Sequence, residues 1–147
     1  MRKRTLRLFT LIIVCVLMLS SVAFAAMNAS EYINVTSAWI TRDGNTVKVN
    51  FYIIGTGQMD MIGVKQVYLY ELNGYTWSLV KTFDYTDPQY TATMVNYNSG
   101  AKAAYLPYYG SAAKSYFADC RFYAEKNGGS DTIQQDTPTS IGYPPGP

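Results

Sequence analysis

The sequence predicts an all-β fold, an antiparallel β-sandwich of about seven short strands with no disulfide. Three observations predict it. Stretches of alternating apolar and polar residues recur along the chain, parted by Asp-Gly and Asn-Gly turn signals at spacings usual in sandwiches. No long stretch carries the period of an amphipathic helix. Of the 147 residues, 48% are hydrophobic and 15% aromatic, enough for one core in a chain of this size.

The first segment is not part of that fold. Met1-Arg2-Lys3-Arg4 and Arg7 make a positive start, residues 8–19 are apolar except Thr10, and Ala23-Phe24-Ala25 follows. This is the three-part pattern of a secretory signal peptide over residues 1–25, cut after Ala25. The apolar run is short for a membrane span, so no stable span is expected after cleavage. Cys15 is a poor lipidation site, because bulky Val14 precedes it. The expected product is secreted or extracellular, with cell-surface association open. It holds a sandwich domain over residues 26–139 and a Pro/Gly-rich tail over 140–147.

Strand one is expected over residues 32–40, with Ile33, Val35 and Trp39 on one face. Asp43-Gly44-Asn45 turns the chain into strand two, residues 46–54, where Val47, Val49, Phe51 and Ile53 face inward and Lys48, Asn50 and Tyr52 outward. Gly55-Thr56-Gly57-Gln58 opens a loop. Strand three, residues 64–72, is apolar on both faces, as a central strand or a bulge near Gly63 would make it. Asn73-Gly74 leads to strand four, residues 75–85, with Trp77, Leu79, Phe83 and Tyr85 on one face.

Asp87-Pro88 marks a loop, and residues 90–97 read as a weaker strand ended by Asn98-Ser99-Gly100. Residues 101–113 fit a helical turn or a strand equally. The clearest strand starts at Tyr116. Tyr116, Ala118, Cys120, Phe122 and Ala124 face one way, and Phe117, Asp119, Arg121, Tyr123 and Glu125 the other. Residues 126–131 supply its turn, and residues 132–137 the last strand, with Pro138 at a sheet edge. The prolines and glycines of residues 141–147 predict an extended or disordered tail.

Ile62-Gly63-Val64-Lys65-Gln66-Val67-Tyr68-Leu69-Tyr70-Glu71, then Trp77, Thr82-Phe83, Tyr116, Phe122-Tyr123-Ala124 and Gly128-Gly129-Ser130-Asp131-Thr132 carry a resemblance. The chain resembles an uncharacterised family of small secreted Gram-positive proteins with a fibronectin-III-like or immunoglobulin-like sandwich. The resemblance covers residues 33–139 and implies that fold, but transfers no function or site residue. Two features depart from those folds. The exported chain has only Cys120, where an immunoglobulin domain bridges two cysteines. Tyr116 and Ala124 stand eight apart, where a fibronectin-III strand usually has six, so a tyrosine-corner bond from Tyr116 stays open.

Chemistry is sparse. There is no histidine, which removes the commonest general base, the usual hydrolase triads and most zinc sites. Cys120 lies mid-strand on an apolar face, as an inert buried thiol does. Nothing in the spacing of the acidic residues brings two together for glycoside hydrolysis, and Asp84, Asp87, Asp131 and Asp136 match no calcium loop. The expectation is no enzyme, no metal and no cofactor. Beyond the signal peptide, eight basic and ten acidic residues leave a net charge of −2. That balance gives no footprint for nucleic acid.

The aromatic residues stand above background. Fourteen tyrosines and two tryptophans suit strands in their own right, a tyrosine being a good strand residue with a wet tip, and those exposed can also stack on sugars or anchor proteins. The candidate ligand-binding residues are Tyr108, Tyr109, Tyr75 and Tyr123. The expected role is a non-catalytic binding or structural module at the cell surface or in the surroundings, its partner a protein or glycan there. The alternative is a carbohydrate-binding module using exposed tyrosines, and a secreted effector or toxin follows behind it.

Overall fold

The computed structural model describes residues 30–142. The expected signal peptide, the Cys15 reading and the tail beyond residue 142 lie outside them. The described residues form an all-β, antiparallel fold: β1 (Ile33–Asp43), β2 (Thr46–Asn73), β3 (Thr76–Asp84), β4 (Val95–Tyr109), β5 (Tyr116–Lys126) and β6 (Gly129–Asp136). One short helix, α1 (Thr91–Met94), precedes β4. The six strands belong to one hydrogen-bonded sheet.

That sheet is organised by β2. The expected second and third strands are its two halves, and the expected loop at residues 55–58 is a bend within it. Its first half pairs with β1 on one side and β4 on the other. Past the bend, β5 takes the place of β1, and β3 then takes the place of β4. β6 pairs with β5. The sheet curls so far that both ends of β2 meet one loop. Gly110 donates its amide to Asn45 O at 2.8 Å, and Leu72 donates its amide to Ser115 O at 2.9 Å.

The strand expected over residues 90–97 holds only from Val95, where β4 begins. Before it, Asp87 and Tyr90 carbonyls accept from Tyr90, Thr91, Thr93 and Met94 amides, which coils α1. The unread stretch from Ala101 becomes strand as far as Tyr109, because Ala104, Leu106 and Tyr108 alternate inward opposite Phe51, Val49 and Val47.

The core is one cluster spanning all the strands, with Phe51, Ile53, Leu69, Phe83, Leu106, Tyr116 and Phe122 fully buried. On β5 the expected alternation holds, and Tyr116, Ala118, Cys120, Phe122 and Ala124 are all buried. Two expected faces are reversed. A bulge between Ile33 and Val35 shifts β1 by one residue, so Ala38 and Ile40 turn inward and Trp39 outward. A second bulge in the β2–β3 pairing leaves Val80 unpaired, so Phe83 stays inside while Trp77 and Leu79 face out. Because side-chain direction has period two, one extra residue flips everything beyond it. The expected bulge near Gly63 lies between Val64 and Gln66.

Gly63 is where the curled sheet is tightest. A Cβ there would collide with Met94 O and come within 2.7 Å of Val95 Cα, both backbone atoms. Gly57, at the bend, meets nothing nearer than the tip of Lys126 at 3.8 Å. Gly63→Ala is therefore expected to cost about 3 kcal/mol or more, the upper range for overpacking, and Gly57→Ala under about 0.5 kcal/mol. Urea denaturation of both variants checks this, and equal costs would contradict it.

Candidate functional site

The four candidate tyrosines are not gathered into one platform. Tyr108 and Tyr109 are neighbours on β4 and so take opposite faces. Tyr108 packs on the core, edge-on to Tyr116 at 6.2 Å between ring centroids. Tyr109 stands out, 84% exposed, and Tyr75 is fully exposed beside the β2–β3 turn. Tyr123 is only 8% exposed. The Lys65 ammonium lies 3.3 Å from its ring centroid, and its hydroxyl donates to Glu125 Oε2 at 2.7 Å. Tyr109 and Tyr75 are therefore exposed, whereas Tyr108 is half-buried and Tyr123 buried.

What the strands do bring together is a different set of rings. On the outer face of β2, β3 and β5, Tyr70 stands opposite Phe117 and Leu79. The Tyr70 and Phe117 rings stack at 4.8 Å and 6°. Trp77 meets Phe117 edge-on, also at 4.8 Å, and stays 36% exposed. Tyr68 continues the row under the Arg121 guanidinium, 5.0 Å from its ring centroid. The bulge at Val80 builds this row by turning Trp77 and Leu79 out.

A second feature is a cleft of about 460 Å³ between α1 and β4, lined by Gln89, Tyr90 and Thr93 from the α1 side and by Ala104, Tyr105, Leu106 and Pro107 of β4. Each wall is anchored. Met94 is fully buried, Thr91 Oγ1 donates to Tyr85 O at 2.7 Å, and Tyr90 packs edge-on to Phe83 at 5.2 Å. Lys102 Nζ donates to Ala92 O at 2.8 Å, fastening α1 to β4. Burial lowers the affinity of that ammonium for its proton. Tyr105 is 52% exposed, with the Lys48 ammonium 5.6 Å from its ring centroid.

The polar groups divide into a lock and a loose pair. Tyr116, at the start of β5, is fully buried. Its hydroxyl accepts from Ser111 N at 2.8 Å and donates to Glu71 Oε2 at 2.7 Å. Arg42 lies over its ring, 5.1 Å from the centroid, and donates to Ser140 Oγ, Ser140 O, Ala112 O and Lys114 O. This set ties β1, β2, β5, the loop at 110–115 and the chain after β6 together. The loose pair is Asp119 and Asp136, directly opposite on β5 and β6. Burial, then the Asp136 charge, raises the Asp119 carboxyl above its usual range, and Asp119 Oδ1 is buried with no partner. Register, not sequence spacing, brings these acids together. The cleft lies elsewhere.

Among the described residues, no group of three potential metal ligands converges and no helix is long and apolar enough to cross a membrane. Cys120 is fully buried, and burial pushes its thiol up to about 12. Compared with models of known families, with curated proteins and with solved structures, the chain matches none.

Burial also pushes the Tyr116 hydroxyl up to about 12, the Ser111 amide working the other way. Both folded groups keep their protons where the unfolded chain loses them, from its ordinary value of 9.0 for the thiol and 10.0 for the phenol. Their contribution to stability is full below pH 9 and is lost as the pH rises toward 12. The urea midpoint is expected to fall across that window, and less steeply in Cys120→Ala. In the folded protein at pH 8, Cys120 is expected to resist iodoacetamide until denaturant is added; rapid native labelling would contradict its burial.

Proposed function

We propose that this chain is a non-catalytic module, exported from a Gram-positive bacterium, that acts by binding at the cell surface or in the surroundings. The signal-peptide pattern of residues 1–25 supports export. The residue types support the absence of catalysis: no histidine, and a lone thiol buried too deeply to ionise near neutral pH.

We further propose that the curled sheet is a variant of the fibronectin-III-like or immunoglobulin-like sandwich of the family the chain resembles. Tyr116 supports this. It opens a strand, and its hydroxyl bonds a backbone amide five residues upstream, much as a tyrosine corner does.

The observation that carries the binding reading is the outer row of Tyr70, Phe117, Trp77 and Leu79. Single exposed apolar residues are ordinary on protein surfaces. A packed row of rings on a solvent face is not, and it offers the rigid, amphipathic contact that recognition surfaces favour. The row lies on regular strands, so it is held in place before any partner arrives.

The test uses the chain from Ala26 to Pro147, which holds every described strand. It is incubated with whole cells of the producing strain and with their extracted surface proteins. Retention is expected on one of them and should fall about tenfold in the double variant Trp77→Ala, Phe117→Ala, a loss of the size that ring anchors carry. Retention by neither, or retention indifferent to the two rings, would refute this surface.

A further inference from the structure

The geometry points to a saccharide site in the cleft between α1 and β4, taking one or two rings of a neutral glycan. This rests on the binding-module reading and names a ligand for it. It uses a different surface from the outer aromatic row.

The lining residues state the ligand's chemistry. Among the residues that line it, Tyr90, Tyr105 and Pro107 carry apolar rings, while Gln89 and Thr93 carry an amide and a hydroxyl. A pyranose has the same division, with C–H bonds on its faces and hydroxyls around its rim. Stacking a face on an aromatic ring while amides and hydroxyls meet the rim satisfies both parts at once. The volume of about 460 Å³ lies in the range of small-molecule sites.

The charges argue for a neutral ligand. No lining residue is charged at neutral pH. The surrounding ammonium groups already have partners, and two of them lie over rings that line the cleft. Lys48 pairs with Asp43 at 3.4 Å and lies over one face of the Tyr105 ring, 5.6 Å from its centroid. Lys102 donates to Ala92 O and to Asn96 Oδ1. Lys81 lies over the Phe83 and Tyr90 rings, 5.6 and 5.5 Å from their centroids. An anionic sugar would have to draw one of these away from its partner.

The walls are preformed. α1 is pinned by buried Met94, by Thr91 and by Lys102, so binding spends little on ordering. Tyr105 is the decisive wall, since it is half-exposed and its backbone pairs with Asn50 whatever its side chain. Peptide addition along β4 is a poorer fit, because Pro107 removes an amide from that edge.

The experiment is an NMR titration of the isotope-labelled chain, residues 26–147, with cellohexaose, xylohexaose, chitohexaose and mannohexaose. Hexagalacturonate serves as the acidic comparator. At least one neutral hexasaccharide is expected to shift the Gln89, Thr93 and Tyr105 amides saturably. Tyr105→Ala should weaken it about tenfold, the loss expected of one stacking ring. Tyr105→Phe should bind nearly as wild type, and Trp77→Ala unchanged. A native-like spectrum confirms that each variant is folded. The site is overturned if no neutral hexasaccharide shifts these amides, if only hexagalacturonate does, or if Tyr105→Ala binds like wild type. Should the sugars fail while cells or surface proteins still retain the chain, the saccharide site falls and the binding module stands.

Discussion

The length of β2 constrains everything else. A strand of 28 residues would run about 92 Å if straight, against a radius of gyration near 13 Å for a domain of this size. It has to bend, and Gly55 and Gly57 stand at the bend. Once bent, it offers four edges instead of two, which is how one strand pairs with β1, β4, β5 and β3. The bend also returns its two ends to the same place, where the loop at 110–115 holds them. Asn45 binds that loop on one side, and Leu72 and Asn73 on the other. Gly110 is small because Tyr116 fills the space a Cβ would need.

The lock around Tyr116 ties distant segments together, as disulfides do in smaller exported domains. A buried hydroxyl, a guanidinium and a half-buried carboxylate each meet partners, and leaving any one unmatched would cost more than the bond itself returns. Arg42 donates to one hydroxyl and three carbonyl oxygens, joining the loop at 110–115 and the chain after β6 at one point. Cys120 sits in the same core as a small apolar filler, with no role in cross-linking among the described residues.

The inner side of this fold was legible in the sequence, and its outer side much less so. β5 was readable because its alternation runs unbroken for nine residues and each inward residue is apolar. The positions of Trp39 and Trp77 were not, because a bulge is a change of register that leaves no mark on composition. Asn98, with its φ of 51°, was read as an end when it is an irregularity within β4. The candidate site suffered most. Tyr108 and Tyr109 could not share a face once the stretch was strand, but alanines and a proline hid the strand. Tyr123 faced outward as read, and was then covered by Lys65 from the bulge in β2. The cleft joins Gln89 and Tyr90 to Tyr105 and Pro107 across a helix turn that replaced an expected strand. The pairing of Asp119 with Asp136 likewise exists only in the register of β5 on β6. Both are tertiary facts, and local pattern carries no trace of them.

The most direct test of this account is native-state hydrogen exchange at the loop that joins the two ends of β2. If the loop clamps the bent strand through Tyr116, the amides of Gly110, Ser111 and Leu72 open only with the whole sheet. They should then exchange as slowly as Phe51 and Leu69 in the core of β2. Exchange at the loop near the rate of an unfolded chain, with the β2 core still protected, would contradict the clamp and the curled sheet built on it.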